Sequence, residues 1–474
     1  MILSRRPAWR SAMASQRPDP AVAGARPLAP TGPRHSPGNW LLVIILFAIF
    51  SRLPDFIAAY VIPWVPIVRI LSVLALIVLL LSGGMKRALF TFPALLLIAF
   101  TFWLMVATPF SVWPGGSVDL LSSWSKSVLF FVATAGLIVT LADCERALYA
   151  IGWASVGAGL LTLLVGATVG GRLQWRAGTL ANSNDLALFL VLGLPACFLL
   201  ARNARSRPGK LAGAAGGILV AVLVVPTGSR MGLLMLVVTC VVLALPTRFA
   251  TKIKLAFLAL VVALIGLLYS GEVAVGRYHT LFSAEQEEDL GTTQSLESAA
   301  ASARARRELL MKSIEVTLQH PIVGVGPGMF SVAVAGRNSD VGAEDLGWHQ
   351  THNSFTQVSS ECGIPALLLW VVLLVYCIRK NFRLWRIARR RPDLERIANV
   401  SYSLLVWVGV FTIGAMLTSL AYDFFLPVMA GMTVGFSSAV QRELLLAPPP
   451  AGQPAAAPAG NRWAALPVVR KAAV

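Results

Sequence analysis

The chain has 474 residues, of which 56% are hydrophobic and only 13% charged, with a mean hydropathy of +0.72. A soluble fold cannot hide that much apolar surface, so the composition excludes a soluble domain and implies a polytopic membrane protein. The formal charge of +18 invites nucleic acid as a partner. The basic residues, however, fall in short turns between apolar segments, which is how membrane orientation is encoded, and no nucleic-acid role is expected.

Met1–Gly38 carries Arg5, Arg6, Arg10, Arg17, Arg26 and Arg34 against the single acid Asp19, among many Pro and Ala. That is the composition of a disordered tail, expected in the cytoplasm; an organelle transit peptide shares the Arg-rich, acid-poor pattern but explains less. A long Pro/Ala tract separates the Arg-rich head from the first apolar run and no small-residue cleavage site follows, so that run is expected to be an uncleaved anchor.

About twelve apolar segments of near-spanning length follow, each able to satisfy its backbone internally as a helix. The expected fold is therefore an all-α polytopic membrane protein. The segments lie at about Trp40–Tyr60, interrupted by Arg52, Pro54 and Asp55, then Trp64–Leu81, Phe92–Thr108, Leu120–Leu141 and Leu148–Val169. Leu186–Leu200, Leu211–Val225, Arg230–Leu245 and Leu255–Tyr269 come next. Gly363–Ile378, Tyr402–Leu420 and Phe424–Val440 close the set. The expected organisation is a tail at 1–38, nine spans over 39–270, a long outward loop at 271–362, three spans over 363–441 and a second disordered tail at 442–474.

Basic clusters at Met85–Arg87, Ala201–Lys210, Thr247–Lys254 and Arg379–Arg391 recur at alternate connections, which places them and both termini in the cytoplasm. The five cysteines, Cys144, Cys197, Cys240, Cys362 and Cys377, show no paired spacing for disulfides or zinc and read as small apolar residues.

The outward loop, about ninety residues long, exceeds an ordinary connection, and loops of that length are usually functional or disordered. Ala284–Ala301 has the composition of a mobile stretch. Arg304–Gln319 carries Leu310, Ile314 and Leu318 at helical spacing, an amphipathic stripe suited to the membrane surface. GVGPG at Gly324–Gly328 follows Pro321 with no strand before it, and is a rigid turn rather than a nucleotide loop. Asn182 and Asn184 are candidate helix caps or sugar contacts.

Arg172, Arg176, Arg230, Arg304, Arg306 and Arg307 all fall on the outward side, where cations are normally scarce. Grouped guanidinium groups bind a diphosphate headgroup in bidentate fashion; taken singly, each also fits an arginine that snorkels from a helix end. In THNSF, His352 precedes Asn353, and an imidazole with an ordinary pKa near 6.5 can deprotonate a sugar hydroxyl. His349 and His352 with Glu344, Asp345 or Glu361 form an alternative metal set, for which imidazoles three apart in a loop are weak evidence.

Four blocks in order resemble the bacterial O-antigen ligase and polymerase superfamily, membrane glycosyltransferases that use polyprenyl-diphosphate-linked glycans. They are RAGTLANSNDLALFL, TGSRMGLL, RRELLMKSIEVTLQHPIVGVGPGMF and THNSFTQVSSECGIPALL, spanning about Arg172–Leu369. The chain departs from the family pattern in having Ser183 where a Pro is frequent and Leu310 where an aromatic is. The resemblance implies Arg176, Arg230 and Arg306 as diphosphate ligands with Arg172 beside them. It implies His352 as the base, with Asn353, Arg304, Arg307 and Asn184 in support. It further implies an inverting displacement without metal or cofactor, in line with the absence of any Asp-x-Asp pair, on the periplasmic face of a bacterial inner membrane. The donor would be a polyprenyl-diphosphate-linked glycan and the acceptor a lipid or glycan, either for ligation or for repeat-unit polymerisation. A multi-pass solute transporter is the reading from another class; it would place charges at the midplane and show repeated halves.

Overall fold

The computed structural model describes residues 37–62, 66–247, 249, 252, 293–337 and 350–446. Residues 1–36 and 447–474 of the tails expected at 1–38 and 442–474, the segment Leu255–Tyr269, residues 284–292 of the stretch expected to be mobile, and His349, Glu344 and Asp345 lie outside the described residues; residues 37–38, 293–301 and 442–446 are helical instead. The described chain is an α-helical bundle. Among these residues seven helices are long and apolar enough to cross a membrane, or eight if a bent pair counts as one span, so the expected twelve is not reached.

The first expected segment is that bent pair. Helix α1 (Pro37–Ser51) and helix α2 (Leu53–Tyr60) meet at 57°. Arg52 sits between them in the left-handed region (φ 54°), and Pro54, which has no N–H to donate, falls in the first turn of α2. Helices α3 (Ile67–Leu81), the short α4 (Gly84–Leu89) and α5 (Phe92–Ala107) follow. Helix α6 (Pro114–Leu137) starts earlier than its hydrophobicity implies, because Pro at its first position favours initiation. Helix α7 (Leu141–Val165) opens on a capping box between Thr140 and Asp143, so it too begins ahead of its apolar run.

Strands β1 (Gly166–Val169) and β2 (Arg172–Trp175) then pair antiparallel where the apolar pattern called for more helix. Gly170 and Gly171 supply the two positive φ angles of the two-residue turn. Trp175 is buried and donates its indole N–H to Thr162 Oγ1 at 2.9 Å, which anchors the hairpin to the end of α7. Helices α8 (Ser183–Asn203), α9 (Arg207–Val224) and α10 (Arg230–Ala244) are capped by Asn182, Ser206 and Ser229 respectively.

Beyond the undescribed segment come α11 (Thr293–Gln319), α12 (Phe330–Arg337), α13 (Ser354–Ala388), α14 (Glu395–Ala415) and α15 (Phe425–Leu446). Helix α15 is the buried centre, packed against α6, α13 and α14. Outward apolar side chains such as Phe102, which is 64% exposed, and Leu95, Leu163 and Leu368 form the surface expected of helices standing in lipid.

The two ends of the bundle differ. At one end Arg396 makes a two-pronged pair with Glu145, Arg87 donates to the carbonyl of Gly136, and Arg202 pairs with Glu395. The other end carries the hairpin, the N-termini of α8, α10 and α13, and helix α11. Helix α13 is kinked there at Gly363, whose φ is +80°. A side chain at Gly363 would run into the carbonyl of Ile322, and one at Gly324 into the backbone of Glu361. Gly363→Ala is therefore expected to cost about 3 kcal/mol or more, from the left-handed conformation plus the clash. A thermal-unfolding midpoint of the purified protein checks this, and an unchanged midpoint refutes the close approach.

Candidate functional site

The local chemistry of three helix starts builds this end of the molecule. Arg172, on β2, donates Nε–H to the carbonyl of Thr227 at 2.9 Å and a terminal N–H to Asn184 Oδ1 at 2.9 Å. Ser229 Oγ donates to the same Asn184 oxygen at 2.8 Å while accepting the N–H of Gly232 as the cap of α10. One carboxamide thus joins the hairpin, the start of α8 and the start of α10. Arg172 is a tie within this junction, and Asn184 is the group that orients it. Asn182, not Asn184, caps α8.

Arg230 opens α10 directly after that junction, half-buried, where the positive end of the helix dipole adds to its own charge. Arg306, on α11, is half-buried as well, whereas Arg304 and Arg307 are exposed. Burial, and next the charge of Arg230, hold the Arg306 guanidinium below the ordinary arginine range. Two guanidinium groups from elements far apart in sequence therefore feel each other across this end. Arg176 stands exposed at the tip of the loop after β2.

Helix α11 packs inward through a face other than its stripe. Leu309 and Val316 are buried in a small cluster with Val325, Phe330 and Val334, while Ile314 and Leu318 are exposed together with Met311 and Ile322. The stripe is thus an outward apolar face, available to lipid. Thr317 and Ser359 hydroxyls lie 2.8 Å apart and fix α11 to the start of α13.

The Gly/Pro run after α11 is a turn with positive φ at Gly324, Gly326 and Gly328. Its backbone is stitched on both sides. Val325 N–H donates to the carbonyl of Ser360 and Gly326 N–H to that of Glu361, while Val112 N–H and Ser117 Oγ donate to the carbonyls of Val325 and Pro327. The Glu361 carboxylate, buried, accepts the N–H groups of Gly328 at 3.0 Å and Phe330 at 3.4 Å. Glu361 was a candidate metal ligand from its sequence position; here it is a clamp on the turn that carries α11. Among the described residues no group of three or more His, Cys, Asp or Glu is placed to hold a metal. Glu361→Ala leaves both amides without their acceptor and is expected to cost about 2–4 kcal/mol. It should also speed amide exchange across 324–330; native-state hydrogen exchange reads both effects, and unchanged protection there contradicts the clamp.

His352 precedes α13 with a left-handed backbone (φ 52°). Such a conformation costs a non-glycine residue about 1–2 kcal/mol and persists only when neighbours impose it. The neighbours are the turn between α14 and α15. Ser419 Oγ accepts the N–H of His352 at 3.0 Å, Ser354 Oγ donates to the carbonyl of Thr418 at 2.7 Å, and Gln357 Oε1 accepts the N–H of Ala421 at 3.3 Å. Asn353 is the cap of α13, its Oδ1 accepting from Phe355 and Thr356. Its carbonyl oxygen is therefore structural. A crevice lined by Val242, Trp385, Arg389 and Tyr402 lies at the far ends of α10 and α13, away from Arg230 and His352.

Fold and site define a multi-pass helical membrane protein with a cationic, loop-covered end. Residues 215–371 match the family model described as O-antigen ligase, a stretch that takes in Arg230, Arg306 and His352 but not Arg172 or Arg176. That stretch, about a third of the chain, is similar to the O-antigen ligase and polymerase superfamily. The chain's helices make it a multi-pass membrane protein. No curated protein matches the chain.

Proposed function

We propose that the protein transfers a glycan from a polyprenyl-diphosphate carrier to a sugar hydroxyl of a lipid or glycan acceptor, at the periplasmic end of the bundle. The observation that carries this reading is geometric: the Arg172–Asn184–Ser229 bonds seat the start of α10, where Arg230 stands, and the Thr317–Ser359 contact fixes the helix of Arg306 to the start of α13, which His352 precedes. Guanidinium groups at one end of the bundle suit a dianionic headgroup, which they bind in bidentate fashion.

In the proposed reaction Arg176, Arg230 and Arg306 hold the diphosphate, and Asn184 and Arg172 keep the α10 start in place. His352 takes the proton from the acceptor hydroxyl as its oxygen bonds the anomeric carbon. The bond from that carbon to the diphosphate oxygen breaks on the opposite face, so configuration inverts. The leaving diphosphate takes the electron pair, and the guanidinium groups stabilise its charge, a role that a divalent ion fills elsewhere. The basic turns support a reading with both termini in the cytoplasm.

Ligation and repeat-unit polymerisation use the same groups, and deletion of the gene separates them. Accumulation of unattached long chains indicates ligation, and loss of long chains indicates polymerisation. Glycans unchanged in both length and attachment reject the proposal. With purified protein and a polyprenyl-diphosphate glycan, transfer is expected to persist in excess EDTA; loss of transfer that added divalent cation restores would overturn the metal-free step.

A further inference from the structure

The break in the first span lies far in sequence from every block that carries the family resemblance, yet the structure connects it to one of them. Helix α2, which leaves α1 at 57°, reaches the loop that bears Arg176. Thr179 Oγ1 donates to Asp55 Oδ2 at 2.6 Å, and the N–H of Ala177 donates to Tyr60 Oη at 3.0 Å. These two bonds flank Gly178, whose φ of +87° turns the loop, while Trp175 and Leu180 close its base through a backbone bond of 3.0 Å. The loop tip therefore rests on α2.

Arg52 holds the same oxygen of Asp55, its terminal nitrogen donating to Oδ2 at 3.3 Å. Arg52 is itself wedged into the bundle. Its guanidinium carbon lies 4.9 Å from the centre of the Phe189 ring on α8 and 5.2 Å from that of Phe424, just before α15. An ion pair in open water contributes little, but this one is half-buried, and both aromatic faces attract the cation. The contacts run in one line from α8 and α15 through Arg52, Asp55 and Thr179 to the peptide next to Arg176.

We propose that Asp55, held by Arg52, is a positioning residue for Arg176. The kinked end of the first span is a strut that sets where the Arg176 guanidinium meets the carrier diphosphate. The inference rests on the reading of Arg176 as a diphosphate ligand, and it gives the Arg52-Pro54-Asp55 interruption a task other than breaking a helix. An acceptor on a rigid helix limits the loop to few arrangements, so less ordering is left to be done when the lipid binds.

The test is binding of undecaprenyl diphosphate to the full-length protein in nanodiscs, with undecaprenyl monophosphate as the comparison lipid. Thr179→Val and Asp55→Ala are each expected to weaken diphosphate binding about tenfold, and Thr179→Ser, which keeps the hydroxyl, to restore it. If Asp55 acts through Arg176, then adding Asp55→Ala to Arg176→Ala changes binding by less than about twofold. A structural role would multiply the two losses instead. Independent, multiplying losses, or a Thr179→Val protein that binds as well as the wild type, overturn the strut while leaving Arg176 a ligand. An Arg176→Ala protein that binds normally overturns the ligand reading and the strut with it. Where Asp55→Ala does not fold, the Thr179 pair combined with Arg176→Ala decides the question alone.

Discussion

His352→Ala is expected to lower glycan transfer by about 10²–10⁴-fold, the range for loss of a general base, with protein abundance unchanged. The expectation of normal abundance follows from the bonds that secure the start of α13. The helix start is secured by Asn353 as cap and by Ser354 and Gln357 reaching the 418–421 turn, and the bond of His352 itself to Ser419 is made by its backbone N–H. Alanine keeps all of these. What it removes is the imidazole, held at a left-handed position that costs about 1–2 kcal/mol to maintain. Measured transfer per mole of purified His352→Ala protein checks this, and full activity would remove the proposed base. Ser419→Ala is the companion variant: it leaves the imidazole in place but frees its backbone, so a smaller loss is expected, within about tenfold.

Arg230→Ala is the second large effect, expected at about 10²–10³-fold in transfer, as for removal of one preorganised group facing developing negative charge. Arg230 stands at the first position of α10, with the helix dipole behind it and Arg306 within electrostatic reach. Arg230→Lys restores the charge but not the planar fork, and should recover only part of the loss. Arg304→Ala and Arg307→Ala, which remove exposed side chains of α11, are expected to stay within about twofold, since solvent screens them. Equal losses at Arg304 and Arg306 would show that the helix acts as a diffuse basic patch and would sink the selective role of Arg306.

The spanning helices are legible in the sequence because each closes its hydrogen bonds within its own segment, so composition and length suffice to reveal it. The same holds for features that act over three or four residues: the Asn182 cap, the Gly324–Gly328 turn and the break at Arg52 and Pro54. The hairpin at 166–175 was missed because Gly166–Val169 continues the apolar run of α7, and only its pairing with Arg172–Trp175 turns it into a strand. The stripe Leu310, Ile314 and Leu318 was found, but periodicity states only that a helix has a face. Packing of Leu309 and Val316 on Val325, Phe330 and Val334 decided that the stripe looks outward.

Apolar periodicity and charge placement thus determined by themselves that this is a helical membrane protein with arginines gathered on one side. Which arginine turns inward, what Glu361 holds, and that Asp55 meets Thr179 across 124 residues were decided only by the tertiary structure. The physical reason is range. A helix is specified by neighbours along the chain, whereas a hydrogen bond between a distant carboxylate and hydroxyl exists only once packing has brought their two elements to the same end of the bundle.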